Sequence, residues 1–368
     1  MSCENSFWKW ADRIAPVDPQ SQISLGEGGT PLVRSRRIGP AMGFDNLYFK
    51  LETANPSGSF KDRFAVVAVS DLLARGVKHC LATSSGNTGA ALATYCAAAG
   101  IQCTIAILET TPMGKLSQML AHGAKLIRVK GFGLDPVITE ETFKMLVDIG
   151  QAQGSPPQIS AFHYSPVGMS GTQTISYELA EQFAALGSQP DHIFIPAGGG
   201  GFVLGAAIGF EQLAESGQQM PCIEVVQPEG NDTIASPLRN GLDRAQAVDC
   251  TSQISGLQVA SVIDGDEVVT KCRASGGTGH TITDEQVWEV QKKLAREEGI
   301  FCEPAGAVAT AGALQAMAAG EIDPNKNITC LITGSGFKDP VAIDRMNHNL
   351  EVPTLDTEEM AALLQQTN

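Results

Sequence analysis

Lys61 lies in Asn55-Pro-Ser-Gly-Ser-Phe-Lys-Asp-Arg63, where Pro56 and Gly58 mark a turn. Ser59 followed three residues later by Asp62 fits a capping box, which predicts a helix beginning at Phe60. Lys61 then falls in the first turn, where the macrodipole is positive. A positive environment lowers an ammonium pKa, as a lysine that forms a Schiff base requires. The segment alone equally fits an exposed lysine in a capped turn, because caps are common and a turn says nothing of a ligand.

Three further segments carry chemistry. Thr83-Ser-Ser-Gly-Asn-Thr-Gly89 joins an expected strand to an expected helix. There the backbone amides, with the hydroxyls of Ser84, Ser85 and Thr88, would make an anion cradle that needs no basic side chain. Asn87 adds an amide able to hold a hydroxyl or phenolate oxygen; the plainer reading is a helix cap. Pro196-Ala-Gly-Gly-Gly-Gly-Phe202 places Gly198, Gly199, Gly200 and Gly201 in a row at a similar junction. Four glycines cost backbone entropy and make sense where backbone wraps a ligand. Neither G-x-G-x-x-G nor G-x-x-x-x-G-K-[S/T] occurs, which favours a small phosphate-bearing cofactor over a dinucleotide, with a structural glycine run as the rival. Finally, Leu331-Ile-Thr-Gly-Ser-Gly-Phe-Lys-Asp339 is a strand end carrying the hydroxyls of Thr333 and Ser335, either of which could face a ring nitrogen. The six histidines are scattered without metal-ligand spacing, and G-x-S-x-G is absent.

The elements that must position these residues follow from periodicity and glycine punctuation. Expected strands are Cys80–Thr83, Cys103–Leu108, Lys125–Val129, Ile159–Phe162, His192–Ile195, Cys222–Val226 and Ile328–Ile332. Expected helices are Thr88–Ala99, Lys115–His122, Thr139–Gln153, Val203–Ala214, Asp284–Glu298 and Glu303–Ala319. Strand, helix and strand with short links mean parallel strands with right-handed crossovers, hence an α/β chain with two parallel-sheet lobes. Residues 228–282 are the least readable. In open α/β sheets ligands sit beyond the carboxyl ends of strands, so the turns there are where to look.

The bulk properties bound the rest. At 368 residues the chain is long for one core and suits two lobes. A formal charge of -15 and a pI near 4.8 argue against nucleic acid or an anionic membrane as partner. An aromatic content of 6% is low for a base-stacking surface. Nine cysteines, an odd count with no C-x-x-C pair and several members in apolar runs, read as reduced thiols. No signal peptide or membrane-spanning stretch is evident, so a cytoplasmic protein is expected.

Taken in order, the segments resemble the fold type II (tryptophan synthase β-like) pyridoxal-phosphate enzymes, closest to the threonine synthase family. The likeness covers residues 24–345. Gly26-Glu-Gly-Gly-Thr-Pro-Leu32, Asn55–Arg63, Ser84–Thr88, Ala295-Arg-Glu-Glu-Gly-Ile-Phe-Cys-Glu-Pro-Ala305 and Thr333–Asp339 carry it. The resemblance implies a larger lobe of residues 1–51 and 181–350 that binds the cofactor phosphate. A smaller lobe, 52–180, would bind the substrate carboxylate, with helices on both faces of the sheets, the cofactor in the cleft and 351–368 as a tail. Pyridoxal 5′-phosphate would be held by Lys61 as an internal aldimine. Asn87 would bond the pyridine 3-oxygen, and Gly198 to Gly201 would cradle the phosphate. Thr333, or Ser335 as second choice, would face the ring nitrogen, and a hydroxyl there suits elimination and replacement better than transamination. Ser84, Ser85 and Thr88 would take the substrate carboxylate, and Lys115 a distal phosphate. A homodimer is a family expectation.

Departures bear on the substrate. Threonine synthases hold a substrate phosphate with a cation in the segment matching Ser165-Pro-Val-Gly-Met-Ser-Gly171, where this chain has none and carries Gly168 at the arginine position. Gly199 and Phe202 stand where relatives carry asparagines. The expected activity is a lyase acting on a small amino acid by β/γ-elimination and replacement. Dehydratase-like and cysteine-synthase-like reactions are alternatives, and a cofactor-binding regulator without activity is a remote one.

Overall fold

The computed structural model describes residues 7–365. Nine strands form two sheets: β1 (Leu32–Arg34), β2 (Leu47–Leu51), β3 (His79–Thr83), β4 (Gln102–Ile107), β5 (Lys125–Arg128), β6 (His192–Pro196), β7 (Cys222–Pro228), β8 (Gly279–Ile282) and β9 (Ile328–Ile332). The larger sheet runs β1-β2-β9-β6-β7-β8 and the smaller β3-β4-β5. Every pairing is parallel except β1 with β2.

The inner strands of the larger sheet are apolar runs because both faces are covered. Ile193 and Ile195 of β6 face one core and Phe194 the other, as period-two alternation requires. The first core continues through the helices Lys61–Ala74 and Asn87–Ala99 into β3 and β4, so one apolar body spans both sheets. The second holds the helix Pro304–Ala318, whose small residues allow close approach: a Cβ on Gly312 would lie 2.6 Å from Val226. Gly100 (φ 65°) and Gly123 (φ 79°) terminate the helices before them in left-handed geometry, as expected.

The two-lobed α/β architecture agrees with the sequence, with local differences. Ile159–Phe162 is not a strand: Gln158 makes one parallel bridge with Ala82 and the chain then turns, sending Ser160 toward Lys61. The capping box at Ser59 does not form. Asp62 instead accepts from the amide of Ser57 at 2.6 Å and from its hydroxyl, and the buried Ser59 Oγ has no partner among the described residues. The helix expected over Asp284–Glu298 is α-helical to Lys293 and widens into a π turn at Leu294–Glu298. That turn aims Glu298 at the amides of Arg36 (3.0 Å), Arg37 (3.1 Å) and Ile38 (2.8 Å). Residues 228–282 hold the helices Ala235–Arg239 and Gly265–Ala274 and the whole of β8.

Candidate active site

The arm before the Lys61 helix is fixed by backbone pairing beyond β9. Phe60 N donates to Thr333 O at 3.0 Å, Ser335 N donates to Gly58 O at 2.9 Å, and Ser59 bridges Gly334. This pairing puts the first turn of Lys61–Ala74 beside the carboxyl end of the larger sheet. Arg63, two residues on, is fully buried. It donates to Glu52 (2.8 and 2.9 Å) and Glu178 (2.7 and 2.8 Å), and Glu178 also accepts from buried Lys50 at 2.9 Å. Two carboxylates and two cations balance, as buried ions must.

Lys61 Nζ donates to Ser160 Oγ at 2.7 Å, and Ser160 Oγ lies 2.9 Å from Thr88 Oγ1. It also sits 4.5 Å over the Phe60 ring, which stacks on Phe202 at 4.0 Å. Burial pushes the Lys61 ammonium down to about 8, against the opposing pull of Glu303 and Asp264. A useful fraction is then the neutral amine near neutral pH.

The turn after β3 reaches the same point. The helix Asn87–Ala99 has no side-chain cap, and the amides of Asn87, Thr88 and Gly89 meet no acceptor among the described residues. Ser84 Oγ accepts from Gly86 N at 3.3 Å, and Ser85 Oγ from Leu108 N at 3.1 Å, which ties Ser85 into the turn. Asn87 Nδ2 donates to Glu303 Oε1 at 2.6 Å. Burial raises that carboxyl to about 7, opposed by the Asn87 hydrogen bond and by Lys338 and Lys115.

Gly198–Gly201 follows β6 and opens the helix Gly201–Glu215. Gly200 has φ 95°, and a Cβ there would sit 2.9 Å from Val268. The amides of Gly199, Gly200, Gly201 and Phe202 donate to no acceptor among the described residues. Asp264 braces this loop: its amide donates to Gly199 O at 3.2 Å, and its carboxylate accepts from Phe162 N (2.9 Å) and His163 N (3.1 Å). At the end of β9 Thr333 is buried, and its hydroxyl has no partner among the described residues.

Lys115 is already engaged, donating to Ser255 Oγ and lying 3.5 Å from Asp339. Gly168 packs against the Lys61 helix so tightly that a Cβ would lie 2.7 Å from Phe64 and 2.8 Å from Ala68. No side chain can leave that position without moving Phe64. Sequence reasoning missed Ser160, Asp264, Glu303 and Lys338 as parts of the cleft. Glu303 and Lys338 stood inside motifs already noted; Ser160 and Asp264 carried no local signal.

A lysine with a lowered pKa, two uncapped helix starts and a partnerless hydroxyl at a strand end are the features of an enzyme that carries an anionic ring cofactor. The chain belongs to the pyridoxal-phosphate dependent enzyme family, whose profile matches residues 23–334. Within it the chain is a threonine synthase-like lyase of fold type II. It is 32% identical over 347 residues to threonine synthase of Methanocaldococcus jannaschii, covering 93% of this chain and 83% of that one. It is 34% identical over 336 residues to threonine synthase of Mycobacterium leprae, covering 90% and 88%. The fold matches processed threonine deaminase isoform 2 of Solanum lycopersicum with a TM-score of 0.71 at 23% identity, covering 88% of each chain. It also matches serine racemase of Dictyostelium discoideum with a TM-score of 0.70 at 22% identity, covering 90% and 95%. No helix among the described residues is long and apolar enough to cross a membrane.

Proposed function

We propose that this lyase removes a β- or γ-leaving group from a small amino acid and replaces it, with Lys61 as both cofactor anchor and proton carrier. The observation that carries this reading is the Lys61 Nζ–Ser160 Oγ–Thr88 Oγ1 chain, at 2.7 and 2.9 Å, lying between two sets of unpartnered amides. Pyridoxal 5′-phosphate fits the cleft. The amides of Gly199 to Phe202 suit its phosphate, the Thr333 hydroxyl its ring nitrogen, and the Asn87 amide its 3-oxygen once turned from Glu303. The bound cofactor supplies an electron sink for charge developing at the substrate's Cα.

The chain's own residues do the rest. The amides of Asn87, Thr88 and Gly89, with the Ser84 and Thr88 hydroxyls, bind the substrate carboxylate. Ser85, held by Leu108 N, shapes the turn instead. Lys61 Nζ would move protons at Cα and Cβ, with Ser160 and Thr88 holding it in register. Phe60 and Phe202 exclude water on one side. We assign residues 52–180 to the lobe that carries the substrate turn, and 1–51 with 181–350 to the lobe that carries the phosphate loop. A cytoplasmic homodimer is part of the proposal.

The leading substrate is O-phosphohomoserine, on the strength of the threonine synthase relatives. A second reading, an unphosphorylated hydroxy amino acid, is favoured by the packing at Gly168 and by the engagement of Lys115 with Ser255 and Asp339. The cofactor-loaded enzyme should be mixed with O-phosphohomoserine, O-phosphoserine, threonine and serine while phosphate and 2-oxo acid release are followed. Phosphate from O-phosphohomoserine supports the first reading, and 2-oxo acid from serine or threonine the second. Turnover of none of the four overturns the elimination–replacement assignment.

A further inference from the structure

At the amino-terminal edge of the larger sheet, opposite the cleft, three side chains of different ligand chemistry meet. His192 opens β6, Cys222 opens β7, and the two are register partners. Glu224 lies two residues along β7, so its side chain leaves the same face as Cys222. A ring nitrogen of His192, Sγ of Cys222 and a carboxylate oxygen of Glu224 lie within 4.8 Å of one another. His192 Nδ1 is 2.9 Å from Glu224 Oε1. The other oxygen of this buried carboxylate is fixed separately: Thr278 N donates to Oε2 at 2.9 Å and His280 Nε2 lies 3.1 Å from it. One oxygen is thus anchored, and the other is presented to His192 and Cys222.

We propose that His192, Cys222 and Glu224 form a site for a zinc-type divalent transition metal, separate from the cofactor cleft. Zinc takes imidazole, thiolate and carboxylate at about 2.0–2.3 Å, which puts tetrahedral ligand atoms about 3.3–3.8 Å apart, inside the observed spread. A mixed nitrogen, sulfur and oxygen set selects such ions over magnesium or calcium, which take oxygen. Thr278 and His280 supply the outer hydrogen bonds that orient a ligating carboxylate. Charge also closes: on binding, Cys222 releases its thiol proton to solvent, His192 ligates as neutral imidazole with its proton on the other nitrogen, and Glu224 is already ionised. A dication against one thiolate and one carboxylate leaves the site neutral. Water completes the tetrahedron, since Asp191 nearby is taken by Lys326 Nζ (3.0 Å) and Asn327 N (2.9 Å). Two of the three ligands are partly accessible, which gives the ion an entry path, whereas the buried Cys80, Cys96 and Cys103 cluster has none as clear. The ion would clamp β6 to β7 at their starts and so act on stability rather than on turnover.

The test uses the full-length, cofactor-loaded chain, stripped of metal and titrated with Co2+, then with Zn2+ and Mg2+. One equivalent of Co2+ should produce a thiolate-to-metal charge-transfer band and the d–d bands of tetrahedral cobalt. Zn2+ should abolish them, and Zn2+ but not Mg2+ should raise the unfolding temperature. Cys222→Ser should lose the band while keeping fold and turnover, and Cys103→Ser should keep it. His280→Asn, which alters the partner of the outer oxygen of Glu224 and none of the three ligands, should weaken binding about 10–100-fold. Absence of the band in the unsubstituted chain, or its survival in Cys222→Ser, overturns the proposal.

Discussion

Asn87 Nδ2 donates to Glu303 Oε1 at 2.6 Å, and this single bond joins the turn after β3 to the start of the helix Pro304–Ala318. Glu303 is boxed in from the other side too: its amide donates to Gly334 O at 3.0 Å, and a Cβ on Gly334 would collide with its carboxyl. A carboxyl so enclosed controls which way the Asn87 amide points.

Glu303 should make the cofactor-free chain less stable as pH rises. Its folded pKa, about 7, lies above the unfolded value, so its contribution is fully present below the unfolded pKa and is lost as pH climbs toward 7. Glu303→Gln removes that dependence. Denaturant unfolding at pH 4.5 and 7.5 should show the variant gaining on the parent by up to about 3 kcal/mol at the higher pH. An unchanged difference between the two pH values refutes the assignment.

Cofactor reattachment should report the Lys61 pKa. Only the neutral amine attacks a carbonyl, so the rate should rise with pH about tenfold per unit below the pKa and level off above it. With Lys61 held near 8 by burial, the plateau should begin there. A rate still climbing at pH 10 would mean an ordinary lysine. Lys61→Ala should lose the visible absorption that lysine-bound pyridoxal 5′-phosphate would give, and at least about 10²–10⁴ in turnover, the range for a positioned proton-transfer group.

The Arg63 network should be costly to break. Arg63→Met leaves Glu52 and Glu178 buried with only Lys50 between them. Unfolding free energy should fall by about 3–5 kcal/mol. Because Arg63 sits one helical turn from Phe60, cofactor affinity should drop as well, measured by fluorescence titration.

Gly168→Ala should destabilise the chain by about 1–3 kcal/mol through overpacking against Phe64, with partial recovery in Gly168→Ala/Phe64→Leu. If Gly168→Ala alone is neutral by thermal unfolding, the contact is looser than its 2.7 Å implies.

Much of the site was legible because its chemistry is local. Glycine-bounded helices, apolar strands and the turns between them are short-range patterns, and Lys61, the 84–88 turn and the 198–201 loop all sit on such junctions. What the sequence concealed is long-range. Ser160 meets Lys61 across 99 residues, and Glu303 meets Asn87 across 216. Neither has a periodic or capping signal. The Ser59 capping box failed for a related reason: strand-like pairing of the arm with Gly334 fixed the helix start, so local capping was not needed. The edge strands β1 and β8, with β2 beside β1, were missed as well, since three to five residues are too few to show alternation.

The pairing of β2 with β9 matches Leu47 to Ile328 and Leu51 to Ile332, and the Lys61 arm leans on residues 333–335 just beyond. On the ribosome, the segment from β2 to Lys61 therefore waits for its last native neighbours until residues 328–335 have emerged. Parallel pairing at such sequence separation is slow to form. The three-stranded sheet, whose strands fall between residues 79 and 128, has no such wait. Synthesis should accordingly pass through a stage in which the substrate-side sheet is folded and Lys61 is still unplaced, so the cofactor is acquired at the end of folding.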